Sequence, residues 1–407
     1  MMQISKTLDN GEQRLAAALP GRAVAFNRAA TLAGIFIAGF ATFMNLYATQ
    51  PLLPYFRHLF GATELLVSLT VSAPVLAVAL AAPLLGVAAD SVGRKQVIVA
   101  AIGCLSFATI LAASATSLWR LILYRFLQGL FIPGMIAVVM AYISEESPID
   151  SVGQTMAVYV TGTVAGGFAG RLFAGLGTAH WGWNRCFVFL GGLTLLGALI
   201  TQWILPRERV FVGGKKASLS FGPLWAHLKN PQLLATYSAG FNILFCMVAT
   251  FTYVNFYLAE KPFCLGPGEL GEIFIVYLAG GVITTFAGPF MDRIGYRKAL
   301  LRALSLESLG ILLTLSHYLP VVILGLVLVA TGVFICQTCA SSNVGKAARG
   351  ARSSAAGLYV CLYYLGGFAG SIIPGFFWTK AGWPACVAVI LCAQAITALI
   401  ALRLWKG

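Results

Sequence analysis

Two arginines and one glutamate stand inside runs of residues that are otherwise apolar: Arg125, Arg171 and Glu307. Burying an arginine in such surroundings costs on the order of 3 kcal/mol on insertion scales, so each should face a polar cavity or a partner. A pair of internal arginines without an internal acid beside them suggests a cavity that prefers an anion or a neutral polar molecule. Glu307, the one carboxylate well within an apolar run, is a candidate coupling residue; its structural alternative is a contact with a neighbouring helix or base. Arg125 opens the stretch Arg125-x-x-Gln128-Gly129, and Arg171 closes Gly162-x-x-x-Gly166-Gly167-x-x-Gly170-Arg171. Amides and aromatics accompany them along the chain: Asn45, Tyr47, Gln50, Tyr159, Asn242, Tyr253, Asn255, Gln337, Tyr359, Tyr363 and Tyr364. Such side chains hydrogen-bond to a small organic ligand or stack on it.

The elements that must position these residues follow from composition. The chain has 407 residues, 59% hydrophobic and only 10% charged, where soluble domains carry roughly a quarter charged residues. Apolar runs of about twenty residues recur, each long enough to cross a bilayer core of about 30 Å as a helix. They predict an all-α membrane protein with twelve spans near 30–56, 64–89, 96–116, 118–144, 152–178, 183–205, 232–259, 269–291, 299–317, 319–345, 353–378 and 383–404. The formal charge of +14 does not imply a nucleic-acid partner. With the N-terminus inside, bases such as Arg94, Lys95, Arg207, Lys215, Arg297 and Lys298 fall in the internal segments, and few fall outside. This is the positive-inside asymmetry, and it predicts both termini on the cytoplasmic side. No small-residue cleavage site follows a short apolar core near the start, so no cleaved signal peptide is expected. Cys336 and Cys339 lie within an apolar helix and are expected to pack. The four histidines suggest no metal site, and no cofactor is expected. No nucleophile–base set points to an enzyme, and no filter segment points to a channel.

The longest polar connection predicts the domain plan. Residues 1–28 form a cytoplasmic tail, 29–205 a first six-helix bundle, 206–230 a cytoplasmic linker and 231–407 a second bundle. Three local matches suggest internal duplication. Asn45-Leu46-Tyr47 is echoed by Asn255-Phe256-Tyr257. Gly86-x-x-x-Asp90-x-x-Gly93 is echoed by Gly288-x-x-x-Asp292-x-x-Gly295. Gly166–Gly170 is echoed by Gly366–Gly370, both reading Gly-Gly-Phe-Ala-Gly, including Gly167 and Gly367. Their offsets are 210, 202 and 200 residues. Two parallel six-helix repeats are a transporter plan with the ligand site between them near mid-membrane.

These residues resemble the major facilitator superfamily, most of all its YnfM-like branch of efflux proteins. Gly86-Val-Ala-Ala-Asp90-Ser-Val-Gly93-Arg94-Lys95 is similar to the family's loop G-x-x-x-D-[RK]-x-G-R-[RK], with Ser91 where a base is usual. The second copy keeps Arg293 and has Tyr296 before Arg297. The resemblance implies a cytoplasmic gate in which Asp90 faces the N-terminal end of span 11 and Arg94 pairs with Glu145 or Glu146, holding the two halves together. Arg125-x-x-Gln128-Gly129 looks like the R-x-x-Q-G motif of proton-coupled efflux proteins, which implies proton transfer at Arg125. The span-5 stretch is similar to the antiporter signature G-x-x-x-G-P-x-x-G-G, with Gly167 in place of proline and Arg171 in place of the last glycine. The resemblance implies a monomeric transporter of a bacterial inner membrane, coupled to protons and exporting by alternating access; the internal arginines, aromatics and amides make its expected substrate a small organic anion or an amphipathic drug-like compound. Proton-coupled import of a metabolite is the alternative.

Overall fold

The computed structural model describes residues 28–148, 151–208, 227–347 and 352–405. The expected tail and most of the expected linker therefore lie outside the described residues. Helix α1 (Arg28–Leu46) is followed by a 3-10 turn (Gln50–Leu52) and α2 (Leu53–Phe60). Next come α3 (Glu64–Val92), α4 (Arg94–Ala113), α5 (Leu118–Phe131), α6 (Pro133–Glu146), α7 (Val152–Trp181) and α8 (Trp183–Ile204). The second half holds α9 (Pro231–Ala259), α10 (Pro267–Ile273), α11 (Val276–Ile294), α12 (Tyr296–Leu313), α13 (Leu319–Ala347) and α14 (Arg352–Leu404). Three crossings are interrupted by turns: α1 with α2, α5 with α6, and α10 with α11. α14 is two crossings joined by non-helical backbone at Ala381 and Gly382. The described helices thus make twelve crossings near the expected places.

The interruptions have local causes. Pro51 and Pro54 follow the end of α1, and Pro133 opens α6; proline lacks the N–H that would continue the helical ladder. Between α10 and α11 the backbone tightens to i→i+3 bonds, with Phe274 N–H donating to Gly271 O at 3.3 Å and Tyr277 N–H to Phe274 O at 3.1 Å. Large apolar side chains face outward, Trp203 at 87% exposed and Phe107 at 70%. In a soluble protein such a surface would be an interaction patch; here it is the lipid-facing wall.

The duplication is visible as repeated contacts. In the first half α7 packs along α1 so tightly that a Cβ at Gly166 would sit 2.2 Å from Phe40 O, and one at Gly170 only 1.9 Å from Met44 O. In the second half the same pairing joins α14 to α9, with Gly366 on Phe241 O (1.9 Å) and Gly370 on Phe245 O (2.3 Å). Only glycine permits this approach of two backbones. The contact register corrects one expectation. Phe40 matches Phe241 and Met44 matches Phe245, so the first and seventh spans align about 201 residues apart. The Asn45/Asn255 echo, 210 residues apart, is out of that register, and Asn45 corresponds to Cys246. A better signal lies elsewhere: Gly182-Trp183-x-x-Cys186 recurs as Gly382-Trp383-x-x-Cys386. Both glycines have positive φ, 82° and 59°, and both cysteine thiols point back to the preceding span, at Phe173 O and Pro374 O.

The halves meet in two related pairs, α3 with α14 and α7 with α10 and α11. Duplication maps one pair onto the other, as a pseudo-two-fold axis requires.

Candidate functional site

A cavity of about 530 Å³ lies between the halves. Its wall draws on α1 (Phe43), the turn after it (Tyr47), α6, α7, α9, α11, α13 and the first part of α14 (Tyr359, Tyr363, Tyr364). The mouth is on the face carrying the ends of α6 and α13 and the start of α14, where Met140, Ser341 and Ala356 are exposed. The floor is buried: Tyr47 and Tyr277 are each 5% exposed and Arg171 is 2% exposed.

Arg171 is the charged side chain of this wall. Its Nε donates to Gln50 Oε1 at 2.8 Å, and its Nη1 donates to Gly167 O at 2.6 Å. Its Nη2 has no hydrogen-bond partner among the described residues. Three rings surround the guanidinium, with Cζ 4.7 Å from the Tyr47 centroid, 4.7 Å from Phe274 and 4.8 Å from Tyr277. Cation–π attraction therefore stands where a carboxylate would be expected. Two interrupted crossings make this possible. The turn after α1 presents Tyr47 and Gln50, and the tightened backbone between α10 and α11 presents Phe274 and Tyr277. Irregular backbone at membrane depth is tolerated where it lines a cavity.

Of the residues singled out in the sequence, Tyr47, Tyr159, Gly167, Arg171, Gln337, Tyr359, Tyr363 and Tyr364 lie on the wall, and Gln50 stands directly behind Arg171. Asn45, Arg125, Gln128, Asn242, Tyr253, Asn255 and Glu307 lie off it. Phe274, Tyr277 and Phe43 were not singled out. An aromatic pair three residues apart after Gly271 marks the first two, but nothing local says that it will face an arginine from the other half.

Arg125 is the clearest correction. It is fully buried but packs inside the first half rather than on the cavity. Nε donates to Thr70 O at 3.0 Å, Nη1 to Asn45 O at 2.8 Å and to Gln128 Oε1 at 2.5 Å, and Nη2 to Leu46 O. Two of these carbonyls, Thr70 O and Leu46 O, are ones that the helices leave short, while Asn45 O also accepts from Ala48 N–H at 3.4 Å. Pro74, four residues after Thr70, has no N–H to donate to Thr70 O. At the end of α1 the ladder shifts, so that Gln50 N–H donates to Tyr47 O instead of Leu46 O. A cation at a helix C-terminus satisfies these orphans and complements the dipole. Gln128 continues the network to Thr109 at 2.8 Å, and Thr109 donates to Asn45 Oδ1 at 2.9 Å. Gly129 lies against Pro74, where a Cβ would be 2.2 Å from its carbonyl. Arg125, Gln128 and Gly129 thus act as one helical face that clasps the broken first span.

Glu307 is 1% exposed and lies behind α13, its Cβ against Gly332; its Oε1 has no hydrogen-bond partner among the described residues. Tyr253 donates to Ser371 O at 2.7 Å, and Ser68 donates to the same oxygen at 2.9 Å, so these residues join the halves. Asn255 bonds back to Phe251 O. Gln50 donates to Thr252 across the halves at 3.4 Å. Arg57 bridges Glu64 of its own half at 3.1 Å and Glu260 of the other at 3.2 Å. These cross-half contacts lie toward the face opposite the cavity mouth.

Arg94 forms a two-pronged pair with Glu145, Nη2 to Oε1 at 2.9 Å and Nε to Oε2 at 3.2 Å. This pair joins α4 to α6 within one half. It does not tie the halves together here, because the cavity opens between them on that face. A carboxylate does sit at a helix start beside it: Glu208 accepts from Lys95 N–H at 3.3 Å, a stabilising position for a negative charge. Gly86 and Asp90 lie in α3 and Gly288 and Asp292 in α11, but the side chains of Asp90 and Asp292 and the surroundings of both glycines are not among those described, and neither is the expected contact of Asp90 to span 11. Gly93 and Gly295 start α4 and α12 with positive φ, 114° and 82°. Arg293 is exposed, and Arg297 donates to Leu402 O at 2.5 Å.

The sequence profile of the Major Facilitator Superfamily matches residues 35–271 and 258–406. The chain belongs to the Major Facilitator Superfamily. It is a membrane transporter and not an enzyme. The inner membrane transport protein YnfM of Escherichia coli is 32% identical over 378 residues, 91% of this chain and 89% of that protein. The multidrug resistance protein MdtG of Klebsiella pneumoniae is 29% identical over 213 residues, 51% of this chain and 50% of that one. The superfamily fold is shared with a bacterial homologue of the lysosomal transporter Spinster, solved in an inward-facing, unoccupied conformation, at a TM-score of 0.73 and 16% identity over 93% of this chain and 99% of that one.

Proposed function

We propose that this transporter exports a small organic anion, or an amphipathic compound bearing one negative charge, from the cytoplasm in exchange for protons across a bacterial inner membrane. The observation that carries the substrate class is Arg171: a buried guanidinium on the cavity floor, held by an amide, a carbonyl and three rings, with no acid beside it among the described residues. A buried cation without a counter-ion attracts one strongly, since desolvation has already been incurred in folding. With the termini inside, as the charge asymmetry of the sequence favours, the open mouth faces the cytoplasm and the sealed face lies outside. Rocking of the two halves about this site would alternate access. The likeness to a multidrug resistance protein over half of the chain supports export.

Everted membrane vesicles test the direction. An acid lumen is expected to drive anion uptake into the lumen. Substrate loss from a preloaded lumen under the same gradient would show import by symport. Flux of organic cations without flux of anions would overturn the substrate class.

A further inference from the structure

We propose that the ligand is an aromatic monocarboxylate, with its carboxylate on Arg171 and its ring among the tyrosines of α14; this rests on the organic-anion reading above. Three features narrow the chemistry.

The first is charge capacity. Arg171 is the sole charged side chain on the described cavity wall. One carboxylate neutralises it. A second would lie among tyrosine and aliphatic side chains without a cation, which is strongly unfavourable.

The second is geometry. Nε and Nη1 are engaged by Gln50 and Gly167, and rings enclose the group at 4.7–4.8 Å. Nη2 is left for a ligand. A charge-assisted hydrogen bond from this one nitrogen suits a carboxylate oxygen. Tyr47 lines the cavity beside Arg171, its ring centroid 4.7 Å from the guanidinium carbon, so a carboxylate on Arg171 has an aromatic side chain next to it.

The third is the opposite wall. Tyr359 and Tyr363 stack with centroids 6.0 Å apart, and Tyr363 meets Tyr364 edge-on at 5.5 Å. Phe43 lies on the same cavity. A flat ring entering this set gains offset-stacked or edge contacts that a saturated ring of equal size does not. Such a pair is worth about a 2- to 10-fold preference beyond area alone. A volume of about 530 Å³ leaves room for a bicyclic acid.

Isothermal titration calorimetry on the full chain in lipid nanodiscs tests this with four probes: 2-naphthoate, decahydro-2-naphthoate, 2-naphthylmethylamine and naphthalene-2,6-dicarboxylate. 2-Naphthoate is expected to bind about 2- to 10-fold more tightly than decahydro-2-naphthoate, and at least about fivefold more tightly than the amine and the dicarboxylate. Tyr363→Leu should shrink the naphthoate-to-decahydronaphthoate ratio while keeping the acid-over-amine preference. Arg171→Gln should abolish the acid-over-amine preference; should that variant fail to fold, the probe series on the unaltered chain and on Tyr363→Leu carries the test. Equal binding of the saturated acid overturns the aromatic inference and leaves the anion reading standing. Equal or tighter binding of the amine overturns both. Tighter binding of the dicarboxylate overturns the single-charge inference, and no binding by any probe overturns the proposal.

Discussion

At the scale of single residues, Arg171 and Arg125 look alike in the sequence and do different things. Both are arginines in apolar surroundings, and both are almost fully buried. Arg125 spends its donors on backbone carbonyls and an amide, whereas Arg171 keeps Nη2 for the cavity. Replacing Arg171 by glutamine should therefore weaken anion binding about 10- to 100-fold, the scale of one charge-assisted hydrogen bond. Lysine should fall between, since it restores charge without the planar fork. Concentration dependence of uptake in proteoliposomes measures both. Arg125→Ala should instead lower the melting temperature sharply, because it strips the buried Leu46 O and Gln128 Oε1 of their donor, each costing about 1–3 kcal/mol, and leaves Thr70 O and Asn45 O with only one long hydrogen bond apiece, from Thr49 Oγ1 at 3.3 Å and Ala48 N–H at 3.4 Å. Thermal unfolding in detergent checks this. Lost transport with an unchanged melting temperature would return Arg125 to a direct role in proton transfer.

At the scale of elements, glycine placement decides which helices can touch. Gly170 and Gly366 face backbone carbonyls that a Cβ would approach to 1.9 Å. Gly170→Val or Gly366→Val should prevent folding of that bundle. Gly192, also within a helix, has nothing within 4 Å of its missing Cβ. Gly192→Ala should be neutral or stabilising by up to about 1 kcal/mol, since alanine is the better helix former. Size-exclusion profiles and melting temperatures of the three variants separate the cases. The broken crossings are the other element-scale device. Pro51, Pro54 and Pro74 are plain in the sequence, and proline chemistry foretells orphan carbonyls near them. That Arg125 serves carbonyls from two helices at once is not foretold, because carbonyls have no sequence signature.

At the scale of the whole molecule, the structure shows one arrangement of the two halves, which the proposed alternation of access would exchange for another. The halves are apart at the cavity mouth and joined at the other face through Ser68–Ser371, Gln50–Thr252 and Arg57–Glu260. Ser371 is the duplicated counterpart of Arg171. In one half this position faces the cavity, and in the other its carbonyl is the seam between the halves. The Arg57–Glu260 pair is exposed, with side chains at 35% and 55%, so it contributes about 0.2–1 kcal/mol. Glu260→Gln should thus shift the ratio of closed to open states at that face by less than about 5-fold. Double electron–electron resonance between spin labels on α2 and α10, in a cysteine-free background, reads that ratio. An unchanged distance distribution would show that the other contacts of the seam, Ser68–Ser371 and Gln50–Thr252 among them, hold the face shut.

The sequence by itself determined the twelve crossings, the two halves and the odd charge at Arg171. Hydropathy, glycine spacing and a charge in an apolar run are local properties, legible wherever the chain goes. Tertiary structure decided the rest. Only packing shows that the Asn45 and Asn255 echo is out of register, since register is set by which backbone lies against which glycine. Only packing sends Arg125 into the clasp of the first span and Arg171 into the cavity, because a buried guanidinium goes where unsatisfied acceptors and ring faces lie, and those come from helices distant in sequence. The aromatic enclosure of Arg171 is assembled from Tyr47 of one half and Phe274 and Tyr277 of the other, so it exists only once the halves have met.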